Sequence, residues 1–431
     1  MVHDPFKDSA SGKTLSAPPS PSDYMKDSVF RSFAYLCALS IILLLAYIVF
    51  ELGSQALPAI KEHGLGFITG TTWDTNQNEF GVLPEIWGTL YSSLLALLIG
   101  GGLGVAIAIF LTQGFMHAKI EVMFRTIIEL LAAIPSVVYG LWGIYVLIPL
   151  IRPAAHWLHE TFGWFPLFST DLSGPGLAPA ALVLAIMILP TVAAISADAF
   201  RRIPYKVKEA AYGMGATKWE VILKVMLPTA SSGILAGLVL GFGRALGETM
   251  ALAMLIGNVN DISVSLFAPA NTLASLLAST FPEAGEIEIQ ALMYASLVLL
   301  LITFVVNVAG LAVQQYTMRK FEGKKCQINE QILPPRINLP SLEKNVLELR
   351  ALKDFFLTGL VWGLAILASI PLVSVIYMLI MEGGARLDFE AITALPPAGF
   401  ETGGGFGNAI VGTLTMVGIA SALSIPIGTM A

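Results

Sequence analysis

Long apolar runs separated by short polar stretches dominate this chain. They cover roughly residues 28–57, 85–113, 120–151, 176–197, 229–258 and 289–316, and a seventh covers about 355–381. Each is long enough to cross a hydrocarbon core of about 30 Å as a helix of about 20 residues. The pattern predicts an all-α polytopic membrane protein: a six-helix unit over 28–317, then about two helices of another. The second run contains Gly100-Gly101-Gly102-Leu103-Gly104, small residues that let helices approach closely in lipid. The third holds Pro135, Gly140 and Gly143 and reads as one long segment. An aromatic-rich stretch, His156–Pro175, reads as an interfacial loop.

Between the fourth and fifth runs lies a polar, amphipathic island, Glu209–Pro228, inside the loop 199–228. Its Lys, Glu and Trp residues need an aqueous or interfacial setting. The spacing predicts two short helices with a glycine bend at Gly213 and Gly215.

After the sixth run, residues 318–349 carry Pro334-Pro335 and Pro340 and read as a linker. A weak repeat follows. Ile86-x-Gly88-Thr89-Leu90 returns as Ile410-x-Gly412-Thr413-Leu414, Gly104 returns as Gly428, and Leu65-x-Phe67 is echoed by Leu387-x-Phe389. The shared order predicts a second copy of the unit over 350–431 that stops inside its second helix.

Composition strengthens the membrane reading. The chain of 431 residues is 55% hydrophobic and 13% charged, against about 25% charged in ordinary globular proteins. Two cysteines, Cys37 and Cys326, offer no disulfide framework. Residues 1–27 are Ser/Pro-rich, lack the features of a cleaved signal, and predict a disordered tail ahead of an uncleaved anchor. Basic residues set the orientation. Arg201, Arg202, Lys206, Lys208, Lys218 and Lys224 surround the island, with Lys119 before the third run and Arg319, Lys320, Lys324 and Lys325 after the sixth. The opposite loops hold only Lys61 and Arg152. The island, the tail and the linker are therefore expected on the cytoplasmic side.

Candidate chemistry sits in the fifth run. On a helical wheel Gly237, Gly241, Arg244 and Glu248 share a sector of roughly 60°. An Arg and a Glu in mid-membrane cost about 2.5–3.5 kcal/mol each on insertion scales, so they are expected to face the bundle. Two readings stay open: an i,i+4 ion pair that locks the helix, or an anion path in which Arg244 presents its planar fork of donors to an oxyanion. Arg125 and Glu129 repeat the spacing, Arg125 as an interfacial residue and Glu129 as a further path residue. Gly12-Lys13-Thr14 lacks the first glycine of a phosphate loop, and His156-x-x-His159-Glu160 matches no zinc hydrolase pattern. No nucleophile–base pair, ATPase signature, metal site or nucleic-acid feature stands out.

Glu209-Ala210-Ala211-x3-Gly215-x9-Val225-x-Leu227-Pro228 resembles the EAA loop of ABC importer permeases, with Val where Ile is commoner. That family implies a type I importer permease fold and a coupling role for Glu209, Ala210, Ala211, Gly215, Trp219, Leu227 and Pro228. Trp219, Val221, Ile222 and Val225 would supply an apolar face for a groove of the cytoplasmic ATPase. Ile134-Pro135-Ser136-Val137-Val138-Tyr139-Gly140 and Gly243-Arg244-Ala245-x-Gly247-Glu248-Thr249 are similar to motifs of the phosphate-specific permeases, PstC type over about 25–320. Gly407–Leu414 is similar to the start of the PstA type.

The resemblance implies phosphate as substrate, Arg244 and Glu248 as charged path residues, and no cofactor bound by this chain. It implies ATP used by a partner ATPase dimer, an extracytoplasmic phosphate-binding protein, a second permease unit, fused or separate, and a bacterial inner membrane. A sulfate or molybdate permease, a gradient-driven carrier and a non-transporting sensor are the alternatives.

Overall fold

A computed structural model of the chain describes residues 21–322, 349–384, 388–396 and 403–430. The first 20 residues of the expected tail and most of the expected linker lie outside the described residues. The first helix, α1 (Pro21–His63), already begins within the expected tail.

By packing, the chain divides into Gln55–Gly383 and a second unit that joins the residues up to Ser54 with those from Gly384 onward. The larger unit holds α2 (Leu83–Thr112), α3 (Ala118–Ala133), α4 (Ser136–Phe162), α5 (Leu177–Arg201), α6 (Tyr205–Gly213) and α7 (Lys218–Leu246). It continues with α8 (Met250–Leu255), α9 (Leu273–Thr280), α10 (Glu286–Glu322) and α11 (Leu349–Gly383). The smaller unit holds the first part of α1, α12 (Phe389–Thr393) and α13 (Gly407–Met430). A two-residue antiparallel ribbon, β1 (Trp73–Asp74) and β2 (Glu79–Phe80), pairs Trp73 with Phe80. Among the described residues, eight helices are long and apolar enough to cross a membrane.

Helix α5 is the hub. Leu177, Ala180, Val183, Leu184, Ile188, Val192 and Ala197 are all buried, so it is apolar around most of its circumference, as an interior helix must be. Helix α2 reaches it through the glycines noted above. A Cβ on Gly100 would lie 2.3 Å from the Ala185 carbonyl oxygen, whereas around Gly102 the space is open. Gly100→Ala is therefore expected to force α2 off α5 at a cost of about 1–3 kcal/mol. Gly102→Ala should be neutral. The fraction of folded protein surviving a heating series in detergent checks both. The Thr89 hydroxyl donates to the Glu85 carbonyl (2.6 Å) and accepts from the Leu273 amide (3.0 Å), tying α2 to the start of α9.

Four expectations change. The third apolar run is two helices, because Pro135 has no N–H to give and holds Ile134 in extended geometry. The Tyr139 hydroxyl bridges the break by donating to the Leu131 carbonyl at 2.8 Å. The aromatic stretch is helical as far as Phe162, so His156 and Trp157 belong to α4. The loop 259–288 contains α9. The fifth run starts earlier and ends sooner than its apolar limits, since α7 begins in the island and stops at Leu246.

Candidate functional site

The polar island folds as a helix, a bend and the foot of a membrane helix. Helix α6 ends at Gly213, and the Gly215 amide then donates to the Tyr212 carbonyl at 2.9 Å. Gly215 has φ +83°, a left-handed geometry that costs other L-residues about 1–2 kcal/mol. Thr217 and Glu220 form a reciprocal capping box that starts α7: the Thr217 hydroxyl accepts from the Glu220 amide, and the Glu220 carboxylate accepts from the Thr217 amide.

The second half is not the separate short helix expected. A π-turn at Ile222–Met226 carries it into the membrane segment. The turn includes Lys224, whose carbonyl the Pro228 ring would otherwise strike.

Which face points outward also differs from the expectation. Trp219, Val221 and Ile222 are buried in the chain's own core with Phe110, Phe124 and Phe200, because the turn after α2 and helix α11 cover them. Leu227 and Pro228 are half-buried. The exposed surface is Glu209, Ala210, Tyr212, Gly213, Met214 and Gly215, with Ala211 packed beneath. The sequence reading missed Met214, 82% exposed at the tip of the bend. An apolar residue between two glycines was the available signal. Burial holds the Lys208 ammonium below the ordinary lysine value. The Tyr212 phenol is pushed up by burial first, then by Tyr205 and Asp354.

At the other end of α7, Gly237 and Gly241 pack on Ile195 and Val192 of α5, as their shared wheel sector requires. Arg244 lies at the edge of that face, is exposed, and points a guanidinium nitrogen at the Thr191 hydroxyl, 3.5 Å away. The expected i,i+4 pairing with Glu248 does not form. The helix ends at Leu246, and Gly247-Glu248-Thr249 turns the chain into α8, leaving Glu248 half-buried in the break. Among the described residues no carboxylate forms an ion pair with Arg244.

Thr191 was not singled out from sequence. It follows Pro190, whose missing N–H opens α5 at that level. Both residues line a cavity of about 240 Å³ whose polar walls are Arg125, Glu129, Asp198 and Arg201. Arg125 and Glu129 are paired at 2.9 Å, and Arg201 approaches both Asp198 (3.8 Å) and Glu121 (3.9 Å). Glu129 and Arg244 thus border one polar region through Thr191. Gly140 and Gly143 of α4 pack on Met254 and Leu255 of α8, the helix that follows the Arg244 motif.

Residues 100–323, which contain the bend, α7 and the cavity, match the family described as "binding-protein-dependent transport system inner membrane component". The chain belongs to this family. The phosphate transport system permease protein PstC of Mesorhizobium japonicum is 37% identical over 306 residues, covering 70% of this chain and 92% of the relative. That of Pasteurella multocida is 41% identical over 306 residues, covering 69% and 94%. That of Haemophilus influenzae is 40% identical over 291 residues, covering 65% and 90%. Among solved structures, the chain is similar to one of a bacterial alginate ABC transporter complex, at 16% identity and a TM-score of 0.44, covering 66% of this chain and 94% of that chain. As a permease of this family, the protein has the all-α membrane fold expected, and α11 to α13 lie beyond the stretch that matches the family.

Proposed function

We propose that this permease is the transmembrane subunit of an ATP-driven importer of inorganic phosphate in a bacterial inner membrane, with its N-terminus in the cytoplasm. The observation that carries the reading is that one continuous helix, through the π-turn at Ile222–Met226, joins its two ends. Helix α7 runs from the capped foot at Lys218 to Arg244, a span of about 39 Å at 1.5 Å per residue. A push on the foot is thereby delivered to the guanidinium.

Arg244 is the phosphate ligand of the path. Its planar fork suits two oxygens of a tetrahedral oxyanion, and the Thr191 hydroxyl beside it supplies a further donor. Phosphate then leaves through the cavity below, where Arg125 and Arg201 are each already near a carboxylate. Those carboxylates keep the exit from holding the anion tightly. Glu248, in the break beside Arg244, accepts a proton from phosphate or repels it onward.

Coupling enters through the exposed bend, which docks on a cytoplasmic ATPase. That partner dimer uses ATP, while this chain catalyses nothing and binds no cofactor. An extracytoplasmic phosphate-binding protein delivers the anion. A second permease unit completes the path. Helices α11, α12 and α13 repeat the long–short–long order of α1, Gly66–Thr69 and α2, which supports a fused second copy.

The test is uptake of labelled phosphate into proteoliposomes holding the full chain, its ATPase and the binding protein. Uptake is expected only with ATP, and excess sulfate or molybdate should not compete. Uptake driven by a proton gradient alone would overturn the reading, and competition by sulfate would reassign the substrate.

A further inference from the structure

Helix α11 carries one buried stripe along its length: Val361, Ala365, Ala368, Leu372 and Val375, at alternating spacings of four and three. Extended toward the start of the helix, the stripe reaches Thr358 and Asp354. Two polar residues therefore occupy packing positions of an apolar helix, where neither contributes to a hydrophobic seam. Both are engaged with the foot of α7. The Asp354 carboxylate accepts from the Trp219 backbone amide at 3.1 Å, one of the helix-start donors that the capping box leaves free. The Thr358 hydroxyl accepts from the Trp219 indole N–H at 2.9 Å while donating to the Asp354 carbonyl at 2.7 Å. Arg350 adds a loose approach to Glu220 at 4.0 Å. The indole is held on its other side by Phe115, at 5.5 Å between ring centroids.

Farther along α11, on a different face from the stripe, the Ser374 hydroxyl accepts from the indole N–H of Trp142 in α4 at 2.9 Å. Asp354 and Ser374 are separated by 20 residues, about 30 Å of helix. Helix α11 is thus a second strut from the foot, parallel in role to α7. Where α7 ends on Arg244, α11 ends on α4, the helix that packs on α8 just past Arg244.

We propose that Asp354 and Thr358 are positioning residues that latch the coupling foot to α11, so that displacement of the foot moves α4 together with α7. The inference rests on the coupling role proposed above. It gives Trp219 a role as the held part of the latch, inside the chain.

The experiment measures ATP hydrolysed per phosphate imported by the full chain reconstituted with its ATPase and binding protein. Thr358→Val removes the acceptor at constant shape, and Trp219→Phe removes the donor together with part of the buried ring. Each is expected to raise the ratio about three- to tenfold, the factor one lost hydrogen bond is worth, with membrane abundance and the apparent KM for phosphate unchanged. The double variant should be no worse than either single, and Thr358→Ser should restore the wild-type ratio. A wild-type ratio in Thr358→Val, failure of serine to rescue, or multiplying effects in the double variant would overturn the latch. A wild-type complex that imports nothing on ATP would overturn the latch and the function together.

Discussion

Arg244→Gln is expected to lower ATP-driven phosphate uptake by about two to four orders of magnitude, the loss of two charge-assisted hydrogen bonds at about 1.5–3 kcal/mol each. The same variant should fold and insert normally. A buried ion pair cut at one end leaves the other charge orphaned, at about 3–5 kcal/mol. Arg244 leaves no such orphan, because it is exposed and forms its hydrogen bond with the neutral Thr191. Arg244→Lys keeps the charge but not the fork, and should fall between glutamine and wild type. Uptake by liposomes reconstituted with equal amounts of each variant, read beside heat stability in detergent, separates the two roles. A variant that loses stability and keeps transport per folded molecule would make Arg244 a structural residue.

The placement of Arg244 shows what the sequence could carry and where it stopped. The apolar runs, the glycine faces of α2 and α7 and the glycine bend of the island were legible because each follows from a local rule: helix length, close approach or left-handed geometry. Glu248 misled because a wheel assumes that the helix continues. Gly247 ends α7, and a four-residue spacing across a break no longer puts two side chains on one face. Pro135 was visible in the sequence, but an apolar run of the right length hid that it divides two helices.

Trp219 failed differently. Its amphipathic spacing correctly marked an apolar face, yet periodicity cannot say what will cover that face. Part of the cover comes from residues more than 130 positions away on α11, which the repeat had assigned to another unit. Asp354 and Thr358 carried the missing signal, as polar residues on the buried stripe of a membrane helix. That signal becomes readable only once the stripe has been identified.

Gly215→Val is expected to leave the protein in the membrane and to uncouple it. The φ of +83° at this position is costly for any L-residue and worst for a β-branched one, while the space around a new Cβ is open. The penalty is therefore backbone strain confined to the bend, and the buried core beneath it keeps its contacts. Relief of that strain rotates α6 against the foot of α7 and carries Glu209, Ala210 and Tyr212 away from the docking geometry. A strain of about 1–2 kcal/mol shifts the balance of bend conformers about 5–30-fold, and transport should fall by that factor. ATP hydrolysis by the partner should continue at its basal rate. Gly215→Asn should be milder, since asparagine tolerates left-handed geometry. Gly213→Ala, at an open position without positive φ, should transport normally. Uptake per ATP in the three variants orders them by backbone strain if the bend is the coupling element. Equal uptake in all three would mean that the docking surface lies elsewhere on the cytoplasmic face.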